Sequence, residues 1–320
     1  MALEDAKTEI DHAFTREDPR GLSFENPFAG APSFLRRRYT KDLAGVDVAI
    51  LGVPFDQAVT HRPGTRFGPR AIREISSLQP CDAPYGWGFS PLEEFTVVDT
   101  GDIAFDYAKT WEVPHAIEAA ARRILDAGAA AITLGGDHSI TLPLLRAHAA
   151  KFGPVALVQF DAHSDSWVDD DPERIDHGTF VYKAVKEGLI DVEKSVAIGI
   201  RTDNPDTLGI TIIDAPEVHR AGPDGIARRV RDIVGEVPAY LTFDIDALDP
   251  AFAPGTGTPV WGGLSTGQAA IILRGLAGLD IVGGDVVEVS PQYDTTGATA
   301  VAGAHVATEI MCLWGWTRRG

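Results

Sequence analysis

Hydrophobic residues fall along this chain in two alternating patterns. Short, nearly continuous apolar runs read as buried strands: Asp47 to Val53, Val97 to Asp99, Ala130 to Leu134, Val155 to Phe160, Ser195 to Ile200, Thr211 to Ile213, Tyr240 to Phe243 and Ile281 to Val289. Between them, apolar positions at helical spacing predict helices through Ser77 from Pro69, over Val113 to Ala127 with Gly128 as its stop, and over Leu142 to Ala150. Further helices are expected over Pro223 to Val234, Ala269 to Leu276 and Ala300 to Trp314. Strands separated by helices imply βαβ units, hence an α/β chain with a mostly parallel sheet covered on both faces. No repeat and no Ser/Gly linker interrupts the pattern, so one domain over residues 1–320 is expected. Residues 1–38 read as an irregular arm, whose Phe24, Phe28 and Phe34 suggest packing on something, such as a neighbouring subunit.

Three of the strands run directly into acidic and imidazole groups. Val155 to Phe160 is followed by Asp161, His163 and Asp165, which alternation along a strand would aim to one side. Ala130 to Leu134 ends in Gly135-Gly136-Asp137-His138-Ser139, and Tyr240 to Phe243 runs into Asp244-Ile245-Asp246-Ala247-Leu248-Asp249-Pro250. The carboxyl ends of strands are where ligands gather in open α/β sheets. Converging carboxylates repel unless a cation lies among them. His138, Asp161, His163, Asp165, Asp244 and Asp246 are too many donors for one zinc ion and suit two divalent ions sharing bridging carboxylates.

Composition narrows the partners. With 28 basic against 46 acidic residues in 320, the net charge of −18 argues against nucleic acid or an anionic membrane. Four of those negative charges belong to the proposed ligand set, and the remaining excess suits a cationic substrate. Cys81 and Cys312 alone give no disulfide framework and no thiolate zinc site, and they are not expected to pair. No apolar run approaches membrane-spanning length, and the first forty residues lack an apolar leader core, so a cytoplasmic protein is expected.

At this point the motifs resemble those of a known family. Gly135 to Ser139, Phe160 to Asp165 and Thr242 to Pro250 are similar to the three metal-binding signatures of the ureohydrolase (arginase–agmatinase) family. Gly64-Thr65-Arg66-Phe67-Gly68-Pro69, His177-Gly178-Thr179, Gly255-Thr256-Gly257-Thr258-Pro259 and Asp285 to Pro291 extend the likeness, in order, from about Val46 to the C-terminus. Leu142 to His148, Gly199 to Thr202 and Thr242 to Gly257 are closest in wording to bacterial agmatinases. The resemblance implies a three-layer α/β/α fold with an eight-stranded parallel sheet, two Mn²⁺ ions and a trimer or hexamer. It places His138 and Asp165 on one ion and His163 and Asp246 on the other, with Asp161 and Asp244 bridging. It also makes His177 the proton-handling residue and Glu288 the carboxylate that holds a guanidinium; protonating the departing amine needs a relay such as Asp165 or His177.

The implied activity is hydrolysis of a guanidino compound to urea and an amine, with agmatine giving putrescine. Alternatives within the family are 4-guanidinobutyrate, 3-guanidinopropionate or guanidine itself; outside it stand a single-zinc deacylase and a non-catalytic metal-binding subunit. The chain lacks the Ser-Gly-Asn-type segment by which arginases hold the amino acid end of arginine, which argues against arginase. Trp167 and Trp261 are departures that serve either packing or a narrower pocket, and His61 is left as a solvated loop residue. Asp169, Asp170, Asp171, Glu173 and Asp176 precede His177 with only Arg174 to oppose them, so this loop is expected to attract an ammonium tail. His115, His148, His219 and His305 are read as packing or exposed residues.

Overall fold

A computed structural model describes residues 26–79, 83–204 and 206–319. Phe24 and Cys81 therefore lie outside the described residues, whereas Cys312 is a buried free thiol. The strands are β1 (Arg38–Tyr39), β2 (Val48–Gly52), β3 (Val97–Asp102), β4 (Ala130–Leu134), β5 (Ala156–Phe160), β6 (Val196–Ile200), β7 (Thr211–Asp214), β8 (Ala239–Asp244) and β9 (Ile281–Val287). The helices are α1 (Gly68–Ser76), α2 (Pro91–Glu94), α3 (Val113–Asp126), α4 (Thr141–Phe152), α5 (Phe180–Lys186), α6 (Ala215–Ala221), α7 (Pro223–Val234), α8 (Thr266–Gly275) and α9 (Ala298–Trp316). No helix among the described residues is long and apolar enough to cross a membrane.

All strand pairs are parallel, in the order β1-β3-β2-β4-β9-β8-β5-β6-β7. Among the described residues the sheet thus has nine strands where eight were expected. The addition is β1, whose two residues pair with Val98 and Asp99 at the sheet edge. Two residues carry no readable periodicity. Their place is set instead by Asp99, which accepts from the Phe34 amide at 2.7 Å and from the buried Arg73 guanidinium.

Successive strand residues serve opposite faces, as pleating requires. Val48, Ile50, Ile132, Val158 and Leu241 join one core with Ile72 of α1, Ile272 of α8 and Ile310 of α9. Ala49, Leu51, Ala131, Leu157 and Tyr240 join the other with Ile117 of α3, Leu144 of α4 and Phe180 of α5. The result is three layers, α/β/α. Because the chain passes from β4 to β5 over the places taken by β8 and β9, the order reverses at the sheet centre. A crevice opens beyond the strand ends at such a switch point. The ends of β4, β9, β8 and β5 all face it.

Candidate metal centre

The residues after β4 make a tight turn. A Cβ at Gly136 would fall 1.8 Å from the Phe55 carbonyl oxygen, so only glycine admits the backbone there. Asp137 then donates its amide to Phe55 at 2.8 Å, and Glu288, just past β9, donates its amide to Gly136 at 2.9 Å. The 3₁₀ turn His138–Ile140 follows, capped by the Asp137 carboxylate.

His138 is fully inside. Its Nε2 lies 2.8 Å from Thr242 Oγ1, whose hydroxyl donates to Asp285 Oδ1 at 2.6 Å. A hydroxyl that has given its proton to a carboxylate must accept from the ring, so Nε2 carries the hydrogen and Nδ1 keeps its lone pair. That Nδ1 stands 3.1, 3.0 and 3.2 Å from Asp161, Asp165 and Asp244, without a hydrogen bond of acceptable geometry to any of them. A buried lone pair facing three carboxylates lacks a proton donor and is suited to a cation.

A second donor group adjoins the first. His163 Nδ1 is 3.1 Å from Asp246 and 3.6 Å from Asp161. The ligand atoms of His138, Asp161 and Asp244 form one compact set, and those of Asp161, His163 and Asp246 form another, with Asp161 common to both. Asp165 approaches the first set through His138. Local hydrogen bonds hold the carboxylates: His163 N to Asp161 at 2.7 Å, Ala162 N to Asp246 at 3.1 Å and Asp246 N to Asp244 at 2.8 Å.

The expected cause of the convergence needs correction. Strand β5 ends at Phe160, so Asp161, His163 and Asp165 lie beyond it, and strand alternation does not aim them. Asp165 arrives instead through a left-handed backbone, φ 49°. Glu288 does the same at φ 63°. Non-glycine residues held in this region cost roughly 1–3 kcal/mol each and persist where the surroundings impose them.

Charge crowding is severe without a cation. Burial, and then repulsion from Asp246 and Asp161, pushes the Asp244 carboxyl well above the ordinary carboxylate range. Burial and the neighbouring Asp161 push Asp165 up to about 6. Two oxygen- and nitrogen-donor sets of this kind fit two divalent ions.

Glu288 is buried beside this centre. One oxygen accepts from the His138 amide at 2.9 Å and faces His177 Nδ1 at 2.9 Å; the other, Oε2, has no hydrogen-bond partner among the described residues. Burial opposes a charge on His177, but the Glu288 carboxylate outweighs it and holds the ring up to about 9. Asp176 caps the His177–Thr179 turn through the Gly178 amide at 2.9 Å.

A cavity of about 300 Å³ opens here, lined by His163, Asp165, Asp244, His177, Trp167 and Thr258, with Thr60, Arg174 and Asp176 at the same wall. Trp261 is 88 % exposed and does not line it; His61 is exposed. Most carboxylates of the acidic loop do not line this space. Asp169 pairs with Lys183 at 2.9 Å, and Asp170 with Lys186 at 2.6 Å and the Tyr182 hydroxyl at 2.7 Å, all on α5. Of the five loop acids only Asp176 lines the cavity, and it pairs with Arg174 at 2.6 Å.

Three contributors escaped the sequence reading: Asp137, the Thr242–Asp285 pair, and Thr60, which contacts His177 Nε2 from the loop after β2. Asp137, Thr242 and Asp285 sit inside the recognised motifs. Nothing in the sequence marks Thr60.

Residues 46–313 match the model of the Arginase family. An agmatinase from Chromobacterium violaceum is 52 % identical over 304 residues, covering 95 % of this chain and 94 % of that protein. A crystal structure of a hypothetical agmatinase from Burkholderia thailandensis superposes with a TM-score of 0.95 at 53 % identity, over 97 % of this chain and 99 % of the other. The proclavaminate amidino hydrolase of Streptomyces clavuligerus is similar at 37 % identity and a TM-score of 0.84, over 91 % and 99 %.

Proposed function

The chain belongs to the arginase family, and on that premise we propose that it hydrolyses agmatine to putrescine and urea at a binuclear metal centre. The observation that carries the reading is the pair of donor sets sharing Asp161, with the unpaired Glu288 Oε2 beside them. His138, Asp161, Asp165 and Asp244 would hold one divalent ion, and His163 and Asp246, with Asp161, the other. Two such ions, when bound, supply an activated water nucleophile at neutral pH.

The remaining chemistry belongs to the chain. Glu288 offers a planar guanidinium a charge-assisted acceptor at Oε2, while the His138 amide pins Oε1 and fixes the carboxylate plane. Holding the guanidinium carbon in one place above the centre removes orientational freedom from the reaction. The departing amine must leave protonated. Glu288 engages His177 Nδ1, which leaves Nε2 as the ring atom that takes up and gives up a proton. Asp165, which lines the same cavity as His177, is the second group proposed to carry one.

Agmatine is favoured over substrates with a carboxylate tail by the likeness to agmatinases at about half identity. In the cavity wall the tail meets Asp176 and its partner Arg174 rather than a field from the whole loop. The same reading extends to Mn²⁺ as the native metal, a homo-oligomer (trimer or hexamer), one domain and a cytoplasmic location. Urea release from a panel of guanidino compounds tests it. Agmatine is expected to give the highest kcat/KM; a preference for 4-guanidinobutyrate or free guanidine would overturn the substrate assignment while leaving the reaction class.

A further inference from the structure

His177 is gripped from a part of the chain that the recognised motifs do not include. The loop between β2 and α1 passes beside it. The Thr60 amide points at His177 Nε2 from 3.2 Å, and the Thr60 hydroxyl stands 2.9 Å from the same atom. A third contact runs the other way, from the His177 amide to the Ala58 carbonyl at 3.3 Å. The loop is itself fixed. Ala58 donates its amide to the buried Asp137 carboxylate at 3.0 Å, and Gly64 donates to Asp56 at 2.8 Å. Asp56 also takes the Arg66 guanidinium.

An amide N–H can only donate, so it needs a lone pair on Nε2 and suits the neutral ring with its proton on Nδ1. A hydroxyl can do either: donate to Nε2 when the ring is neutral, or accept from Nε2–H when it is charged. We propose that Thr60 is a positioning residue for His177: its hydroxyl holds Nε2 through the gain and loss of the transferred proton, and its amide adds a second hold on the neutral ring. This rests on the functional reading above, in which His177 moves that proton. The charged groups facing the ring are Glu288 beyond β9, Asp165 beyond β5 and Asp137 beyond β4. They act on the ring's charge. Thr60, by contrast, touches the one ring atom they leave free. It is exposed at the cavity wall, which gives Nε2 a hydroxyl link to cavity water.

The test is a double-mutant cycle in kcat. Thr60→Val is expected to lower kcat by about 10- to 100-fold, at or below the lower end of what a positioned acid–base group itself supplies, with KM within about 2-fold. Thr60→Ser, which keeps the hydroxyl, is expected to restore kcat to within about 3-fold of the unmodified enzyme. In a His177→Asn background the same Thr60→Val change is expected to alter kcat by less than about 2-fold, because its route of action is gone. Equal losses in both backgrounds, or none in the single variant, would overturn the proposal. Urea release by the unmodified enzyme reports on the functional reading separately. Independently of turnover, the ring ¹⁵N shifts of His177, recorded above its pKa, should place the proton on Nδ1; a proton on Nε2 would overturn the assignment.

Discussion

Two histidines on consecutive elements show what separates a site from a core. His138 opens the turn after β4, and His148 lies in α4, which follows directly. Both are buried, and each has a ring nitrogen without a hydrogen-bond partner in the described structure. Their surroundings differ. His148 Nδ1 bonds the Leu144 carbonyl at 2.7 Å, and the rest of the ring packs on Tyr240 and Phe152. Burial there pushes its pKa down to about 4. Burial opposes the charge on His138 too, yet without a cation in the site Asp161, Asp165 and Asp244 override it and hold the ring well above its ordinary value, so that Nδ1 takes a proton where no metal takes its lone pair. Burial and an orphan nitrogen are thus shared by a packing residue and a proposed ligand. The ring of carboxylates is what differs.

Removing one of those carboxylates should have the largest effect. Asp161 belongs to both donor sets, so Asp161→Asn is expected to lose metal and to lower kcat/KM by about 10³-fold or more, beyond the 10–100-fold typical of outer-shell changes. Metal content by elemental analysis, beside the rate, checks it. Glu288→Gln tests a carboxylate next to the centre but outside both sets. Its loss should be roughly 10²-fold in kcat/KM, a few kcal/mol for a buried charge-assisted contact, with metal content unchanged. Loss of metal in that variant would move Glu288 into the ligand set.

Smaller effects come from the rim. Asp176→Asn should lower kcat/KM for agmatine about 3- to 10-fold relative to 4-guanidinobutyrate, the range of one partly exposed charged hydrogen bond. Changing Asp169, Asp170 and Asp171 together to Asn should alter that ratio less than about 2-fold, since Asp169 and Asp170 face α5. The reverse ranking would restore the acidic loop as the tail's attractor.

The smallest catalytic effect is expected at His148. His148→Leu should leave kcat/KM within about 2-fold, as for a packing position away from the site. It should change the pH dependence of stability instead. The folded pKa of about 4 lies below the ordinary 6.5, so between those values the unfolded chain binds the extra proton. Stability is therefore retained above 6.5 and lost as pH falls toward 4. Thermal melts of the variant across that window should show a shallower acid-side decline.

The sequence pointed to the proposed ligands because they follow apolar strands, and strand ends converge in a parallel sheet whatever the local detail. It misled on the cause, since Asp165 owes its direction to a left-handed backbone that no periodicity reveals. Counting charge in the loop before His177 left out the cations that pair with Asp169 and Asp170, because Lys183 and Lys186 lie on a short helix, α5, that the pattern did not predict. Thr60 was invisible for a related reason: its partner is distant in the chain, and a lone threonine carries no spacing to read. Within the described part of the proposed arm, residues 26–38, Phe34 is buried against this chain and Phe28 is exposed.

The central claim is that the two donor sets sharing Asp161 work as a pair. It is tested by stripping the chain of metal and adding Mn²⁺ back in measured equivalents while following urea release from agmatine. The account predicts no urea from the stripped chain, a lowered melting temperature in that state, and full rate only when both sets are filled. Full rate with a single ion per chain, such as one tightly bound zinc, would contradict it.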